Sequence, residues 1–112
     1  MSFDPLDFVQ LGRQLGSRVS DEASIRTAIS RAYYGVFLLA RERTGTRSRS
    51  KVHERVEKKV GVKIGTRAAH QFNSFRVLRC QADYDLSPSM TARHWQRAES
   101  IANHLLPQIL RI

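Results

Sequence analysis

One cysteine, three prolines and no glycine-rich stretch occur in the 112 residues, and each scarcity removes a class of protein. A lone thiol, Cys80, cannot close an internal disulfide, so the chain is not a disulfide scaffold and suits a reducing cytoplasm. With no histidine nearby in sequence, Cys80 reads as a structural thiol, on the intermediate side of its helix. No apolar run approaches the roughly 18–20 residues needed to span a bilayer. The opening Met1-Ser2-Phe3-Asp4-Pro5 lacks a basic region followed by a hydrophobic stretch, so neither a membrane span nor a secretory signal is expected. There is no phosphate-cradling glycine loop, CxxC, HExxH or GxSxG. Acidic residues are few and scattered, and His53, His70, His94 and His104 share no ligand spacing on one face. No metal or cofactor is therefore expected.

What the chain does have is positive charge. Nineteen Lys and Arg face ten Asp and Glu, for a net +9. The excess is concentrated between Arg41 and Arg67: ten basic residues, among them Arg47, Arg49, Lys51 and Arg55, face only Glu42, Glu54 and Glu57. A field of this kind draws in polyanions such as RNA, anionic lipid or an acidic protein. The plain alternative is a solvated basic surface that keeps the chain soluble. No basic amphipathic helix with aromatic anchors is present, so a membrane partner is not expected.

With 41% apolar residues, the chain can build one core, and residues 1–112 read as a single domain. Apolar spacing of three and four predicts five helices and no sheet, hence an all-α antiparallel bundle of four to five helices. Asp4 is suited to cap the first, with Pro5 opening it, Leu6, Val9 and Leu11 inward, and an end near Gly16. Ser20 or Asp21 starts the second, which buries Ile25, Ala28, Ile29, Ala32, Val36 and Ala40 and stops near Thr44 and Gly45. Residues 44–50 read as a mobile loop. The third helix spans Lys51 to Val60, ended by Gly61, and the fourth runs from about Thr66 to Tyr84. Ser87 or Ser89 caps the fifth, whose stripe is Trp95, Ala98, Ile101, Ala102, Leu105 and Ile109, and Pro107 should kink or end it.

One residue breaks the pattern of the fourth helix. Ala68, Phe72, Phe75, Leu78 and Ala82 mark its apolar face, and a step of about 100° per residue places Arg79 near the middle of that stripe. A guanidinium cannot shed its proton to escape apolar surroundings, so it needs an anionic or hydrogen-bonding partner. Asp83, one turn on, is within reach, and Arg76, one turn back, lies towards the same side. Arg76, Arg79, Asp83 and Tyr84 form the candidate site, and a register-pinning ion pair is the structural alternative. On the second helix, Arg31, Tyr34 and Leu38 turn away from the small-residue stripe, flanked by Thr27 and Arg41. Such a face fits self-association, a cleft wall, or unpaired RNA bases stacked on aromatics; a helix central in the bundle explains it equally.

Three runs, in order, resemble the small stand-alone bacterial and archaeal HEPN-domain proteins. They are Ser30-Arg31-Ala32-Tyr33-Tyr34-Gly35-Val36-Phe37, Ser50-Lys51-Val52-His53 and Arg79-x-x-Ala82-Asp83-Tyr84-Asp85, and the likeness covers roughly residues 20 to 106. That resemblance implies a bundle of four or five helices, commonly a homodimer. Many such proteins are metal-independent endoribonucleases, often toxins encoded beside a minimal nucleotidyltransferase antitoxin. Their Arg-x4–6-His motif holds the scissile phosphate with arginine and moves protons with histidine.

Arg79 matches the arginine of that motif, but Tyr84 stands where histidine is usual. A phenol titrating near 10 is a poor base at neutral pH, though it can donate a hydrogen bond. Arg47 with His53 and Arg97 with His104 meet the spacing by position alone. His53 occupies a place that such proteins often fill with histidine. Two readings follow. In the first, the chain binds RNA and cleaves it in a toxin–antitoxin or defence system. Arg79 then holds phosphate, Asp83 orients it, and Tyr84 and His53 handle protons or hydrogen bonds. Arg31, Tyr34, Arg47, Arg49, Lys51, Arg55 and Arg76 hold the nucleic acid. In the second, a non-catalytic module of the same kind binds nucleic acid or a partner protein such as a nucleotidyltransferase.

Overall fold

The carboxylate of Asp21 accepts the Ser24 N–H at 2.8 Å and so nucleates the longest helix of the chain. In the computed structural model, which describes residues 3–18 and 21–112, five helices follow one another. They are α1 (Leu6–Ser17), α2 (Glu22–Arg43), α3 (Val52–Ile64), α4 (Thr66–Tyr84) and α5 (Ala92–Leu110). Ser20, the other cap candidate for α2, lies outside the described residues. The described residues contain no strand, and none of their helices is long and apolar enough to cross a membrane. The chain folds as an all-α bundle.

Helix α2 is the centre, packed against each of the other four. Its stripe of Ile25, Ala28, Ile29, Ala32, Val36 and Ala40 is buried as expected, and the small side chains let α1 approach closely. A Cβ added at Gly35 would lie 2.7 Å from both the Pro5 carbonyl and Val9 Cγ2. Around this seam one continuous core gathers Phe72, Phe75 and Leu78 from α4 and Trp95, Ala98, Leu105 and Ile109 from α5.

Local detail departs from the expectations at five places. Leu11 points outward, 40% exposed, because Val9 and Gly12 face α2 and Leu11 stands about 200° around the helix from Val9. Helix α3 does not stop at Gly61. It continues to Ile64 because the bare Gly61 lets Ala69 of α4 approach; the break falls at Gly65, whose φ of 103° suits only glycine. The 44–50 loop is tied down: Thr46 is buried, its N–H donates to the Arg41 carbonyl, and its hydroxyl pairs with that of Thr44 at 2.8 Å.

Helix α5 starts after Thr91, not after Ser87 or Ser89. The Thr91 N–H donates to His94 Nδ1 at 2.9 Å, an imidazole in the place a capping box gives to Glu or Gln. Ser89 instead donates its hydroxyl proton to Glu22 at 3.1 Å and fastens the α4–α5 turn to α2. Pro107 neither ends the helix nor costs a buried bond. The carbonyl it cannot serve belongs to exposed Asn103, while burial of Leu105, Leu106 and Ile109 carries the helix on to Leu110.

The α1–α2 seam makes a direct prediction. Gly35→Ala should lower unfolding stability by about 1–3 kcal/mol, because backbone and Val9 must move apart to admit one methyl. Urea unfolding followed by circular dichroism measures the loss, and an unchanged midpoint contradicts the close approach.

Candidate functional site

The site grows from the crossing of α2 and the C-terminal half of α4. Ser30 turns inward on α2, only 6% exposed, and its hydroxyl donates to Asp83 Oδ2 at 3.1 Å. The same carboxylate oxygen lies 2.8 Å from Arg79 Nε, so one anion is shared between a hydroxyl on α2 and a guanidinium on α4. Two rings bracket that guanidinium: its carbon sits 5.8 Å from the centroid of buried Tyr33 and 5.8 Å from that of exposed Tyr84. Arg79 therefore does meet Asp83, but it is not sealed in the core. Its Cα lies within the apolar stripe, while the long side chain carries the charge to the rim, leaving it 22% exposed.

Arg31 completes the group from the neighbouring turn of α2. Its guanidinium lies over Phe8 at 5.3 Å and Tyr34 at 5.4 Å, with Nη2 at 3.5 Å from Ser30 Oγ. Arg79 pairs with the carboxylate directly, and Arg31 reaches only the serine that donates to it. The local charge remains positive, and apart from Nε beside Asp83 none of the N–H groups of Arg79 meets an acceptor among the described residues. An arginine with an ion pair on one edge and unspent donors is suited to a bidentate anion such as phosphate.

His53 arrives from the first turn of α3. Its ring stacks on Phe37 at 4.1 Å, and Nδ1 lies 2.7 Å from the Tyr33 hydroxyl oxygen. Burial raises the Tyr33 phenol above its ordinary range, with Arg76 and Arg79 pulling the other way. Burial, then the charges of Arg79 and Arg76, lowers the His53 imidazole from its usual value. Both groups are consequently neutral near pH 7. If Tyr33 accepted a proton from Nδ1, its own buried O–H would have no acceptor, so Tyr33 donates and the His53 proton resides on Nε2. In this state His53 offers a donor, not a base.

The remaining candidates separate. Arg76 turns away from Asp83 towards α3, with Nη2 3.1 Å from Asn73 Oδ1 and 3.7 Å from Glu57 Oε2. That Glu57 oxygen is buried without a hydrogen bond, and its charge draws Arg76 to this side. Arg47, Arg49, Lys51 and Arg55 form a second, exposed basic surface on the 44–50 loop and early α3. Cys80 is exposed, not at the intermediate position expected for it. Among the described residues no cluster of three or more His, Cys, Asp or Glu is placed to hold a metal ion.

Sequence reasoning missed three contributors. Ser30 and Tyr33 lie in a run that carries the family resemblance, yet neither had been given a role. Arg26 is the third: its Nη1 donates at 3.0 Å to the carbonyls of Gln81 and Ala82, Nη2 to that of Pro88 at 2.8 Å, and Nε to Glu22 at 2.8 Å. A cation across the last carbonyls of α4 satisfies groups that a helix end leaves open, and fixes the turn that carries Asp83. Glu22 is an i,i+4 neighbour, but the three carbonyls lie 55 to 62 residues away, beyond any local pattern. No family model, curated protein or solved structure matches the chain.

The lowered His53 imidazole fixes a pH dependence. Because the unfolded chain takes up this proton more readily than the folded one, stability falls as pH drops through about 6.5, the ordinary histidine value. Denaturation midpoints at pH 7.5 and 5.5 should show that loss, and His53→Gln should reduce it. An equal pH slope in wild type and variant contradicts the assignment.

Proposed function

We propose that this chain is a HEPN-like RNA-binding protein that holds a backbone phosphate at Arg79. The observation that carries the reading is the state of that arginine: its Nε paired to Asp83 at 2.8 Å, its guanidinium bracketed by two tyrosines and partly exposed, its Nη donors unspent. Arg31 adds a second cation nearby, held at Ser30 and over Tyr34, and the exposed Tyr84 supplies a face on which an unpaired base can stack. The basic 41–67 segment raises the local concentration of RNA. The resemblance adds the setting: a cytoplasmic toxin–antitoxin or defence system, a homodimer, and a nucleotidyltransferase-type antitoxin as partner.

Cleavage is the stronger form of this reading. Arg79 would then stabilise the phosphate and His53 would supply the proton chemistry, with Tyr84 hydrogen-bonding at the rim. The Tyr33–His53 bond weighs against it, since the resting imidazole has its lone pair engaged and only Nε2–H to give. A partner-protein module draws support from a different observation. Val77 and Tyr84 on α4 and Leu86 just beyond it are exposed, 49%, 68% and 90% respectively, and Tyr84 lies against Arg79.

Purified chain mixed with single-stranded RNA in EDTA separates these readings by gel shift and by product analysis. RNA binding should weaken about 10- to 100-fold in Arg79→Ala, from the loss of charge-assisted bonds, in a variant that still folds. Cleavage abolished by Arg79→Ala and His53→Ala establishes the endoribonuclease. Failure of the wild-type chain to bind RNA at all removes the reading.

A further inference from the structure

Away from Arg79, the densest positive charge gathers where the 44–50 loop meets α3. Arg47, Arg55, Lys58 and Lys59 line an open cavity of about 310 Å³. Among the described residues, no carboxylate lies within ion-pairing distance of any of the four. Cations crowded around one hollow repel one another, and an anion seated between them relieves that repulsion. A second cavity, of about 410 Å³, has a different character. Phe3, Pro5 and Leu38 give it an apolar wall, with Arg41 and Glu42 beside them. Thr46 and Arg47 line both cavities, so the two hollows share a wall.

The loop is built to hold Arg47 at that junction. Thr46 is buried beneath it and tied to Thr44 and to the Arg41 carbonyl. On the far side, the Ser50 carbonyl accepts from Ser48 Oγ at 3.0 Å and from Arg55 Nε at 3.1 Å. The backbone around Arg47 is therefore ordered in advance of any ligand, which lowers the entropy lost on binding.

A ligand that sets a flat apolar ring beside closely spaced negative charges matches both hollows. An unpaired nucleotide does so, with its base against Phe3 and its phosphates among the lysines. A run of Asp and Glu, or a lipid headgroup, would use the cations alone, whereas a nucleotide carries its ring and its charges on one short unit that spans both hollows. We infer that the two cavities form a groove for single-stranded RNA, in which Arg47 bridges a base subsite at Phe3 and Leu38 to a phosphate subsite at Arg55, Lys58 and Lys59. This groove rests on the RNA-binding reading and gives it a second contact region, separate from Arg79.

Fluorescence anisotropy with a short labelled oligouridylate, and in parallel with labelled inorganic polyphosphate, tests the groove. Arg47→Ala should weaken oligouridylate binding about tenfold and lower its salt slope by about 0.7, the value for one phosphate contact on a single strand. Lys58→Ala with Lys59→Ala should weaken both probes. Phe3→Ala should weaken oligouridylate about fivefold or more through lost stacking, yet leave polyphosphate unchanged. Arg93→Ala, at the other end of the molecule on α5, serves as the exposed-arginine control, and Arg47→Gln replaces Arg47→Ala should the latter fail to fold.

If Arg47→Ala behaves like Arg93→Ala while Arg79→Ala still loses RNA, the groove is wrong and the Arg79 site stands. If Phe3→Ala leaves RNA binding intact, the base subsite is wrong. A wild-type chain that binds anionic vesicles but not oligouridylate overturns both the groove and the reading beneath it.

Discussion

The Asp83 carboxylate is where α2 and α4 are joined by a charge-assisted hydrogen bond and not only by packing. One oxygen serves both Ser30 and Arg79, and Arg31 lies against the same serine. With Arg79 paired to the anion and Arg31 one serine away, the locality stays positive, and the aromatic rings of Tyr33 and Tyr84 restrict where the Arg79 plane can lie. Such a cluster is rigid without being self-sufficient. Arg26 adds to the rigidity from below by clamping the end of α4, so Asp83 cannot drift from its partners without breaking bonds in a second network. These paired, partly exposed charges contribute little to net stability, since exposed ion pairs are worth about 0–1 kcal/mol. Their arrangement matters more for what can be recognised there than for whether the chain folds.

Helix α3 connects that centre to the basic surface. Val56 and Val60 seat it in the core, and His53 and Glu57 reach across to Tyr33 and Arg76. Its outer face then carries Arg55, Lys58 and Lys59 into solvent. One helix thus presents a neutral imidazole near the Arg79 group and uncompensated cations on the opposite flank. RNA held at both would run across α3 and the 44–50 loop.

Much of the fold was legible because its signals are local and periodic. The stripes of α2, α4 and α5 and the Asp21 cap needed nothing beyond residues within a turn or two of one another. The errors arose where a distant partner decides a local outcome. Gly61 looked like a stop, but α4 uses its bareness for contact, so α3 runs on to Gly65. Pro107 looked like a break, but the core holds the helix past it. Thr91 was overlooked because an imidazole fills the position where a carboxylate or amide is normally sought. In the site, the i+4 pair of Arg79 and Asp83 was readable, whereas the pull of Glu57 on Arg76 was not, since that partner lies on another helix. The contacts of Tyr33 with His53 and of Arg26 with the carbonyls at the end of α4 were invisible for the same reason.

Arginine side-chain NMR during titration with a dinucleoside monophosphate tests the central claim most directly, because it reports on the guanidinium itself. The Arg79 and Arg31 signals should shift together, saturably, at probe concentrations that leave Arg26 unmoved. Arg26 is the internal reference, since its donors are already spent on carbonyls and Glu22. Shifts confined to the exposed arginines of the 41–67 segment, with Arg79 and Arg31 silent, would contradict the claim that this cluster is a place for phosphate.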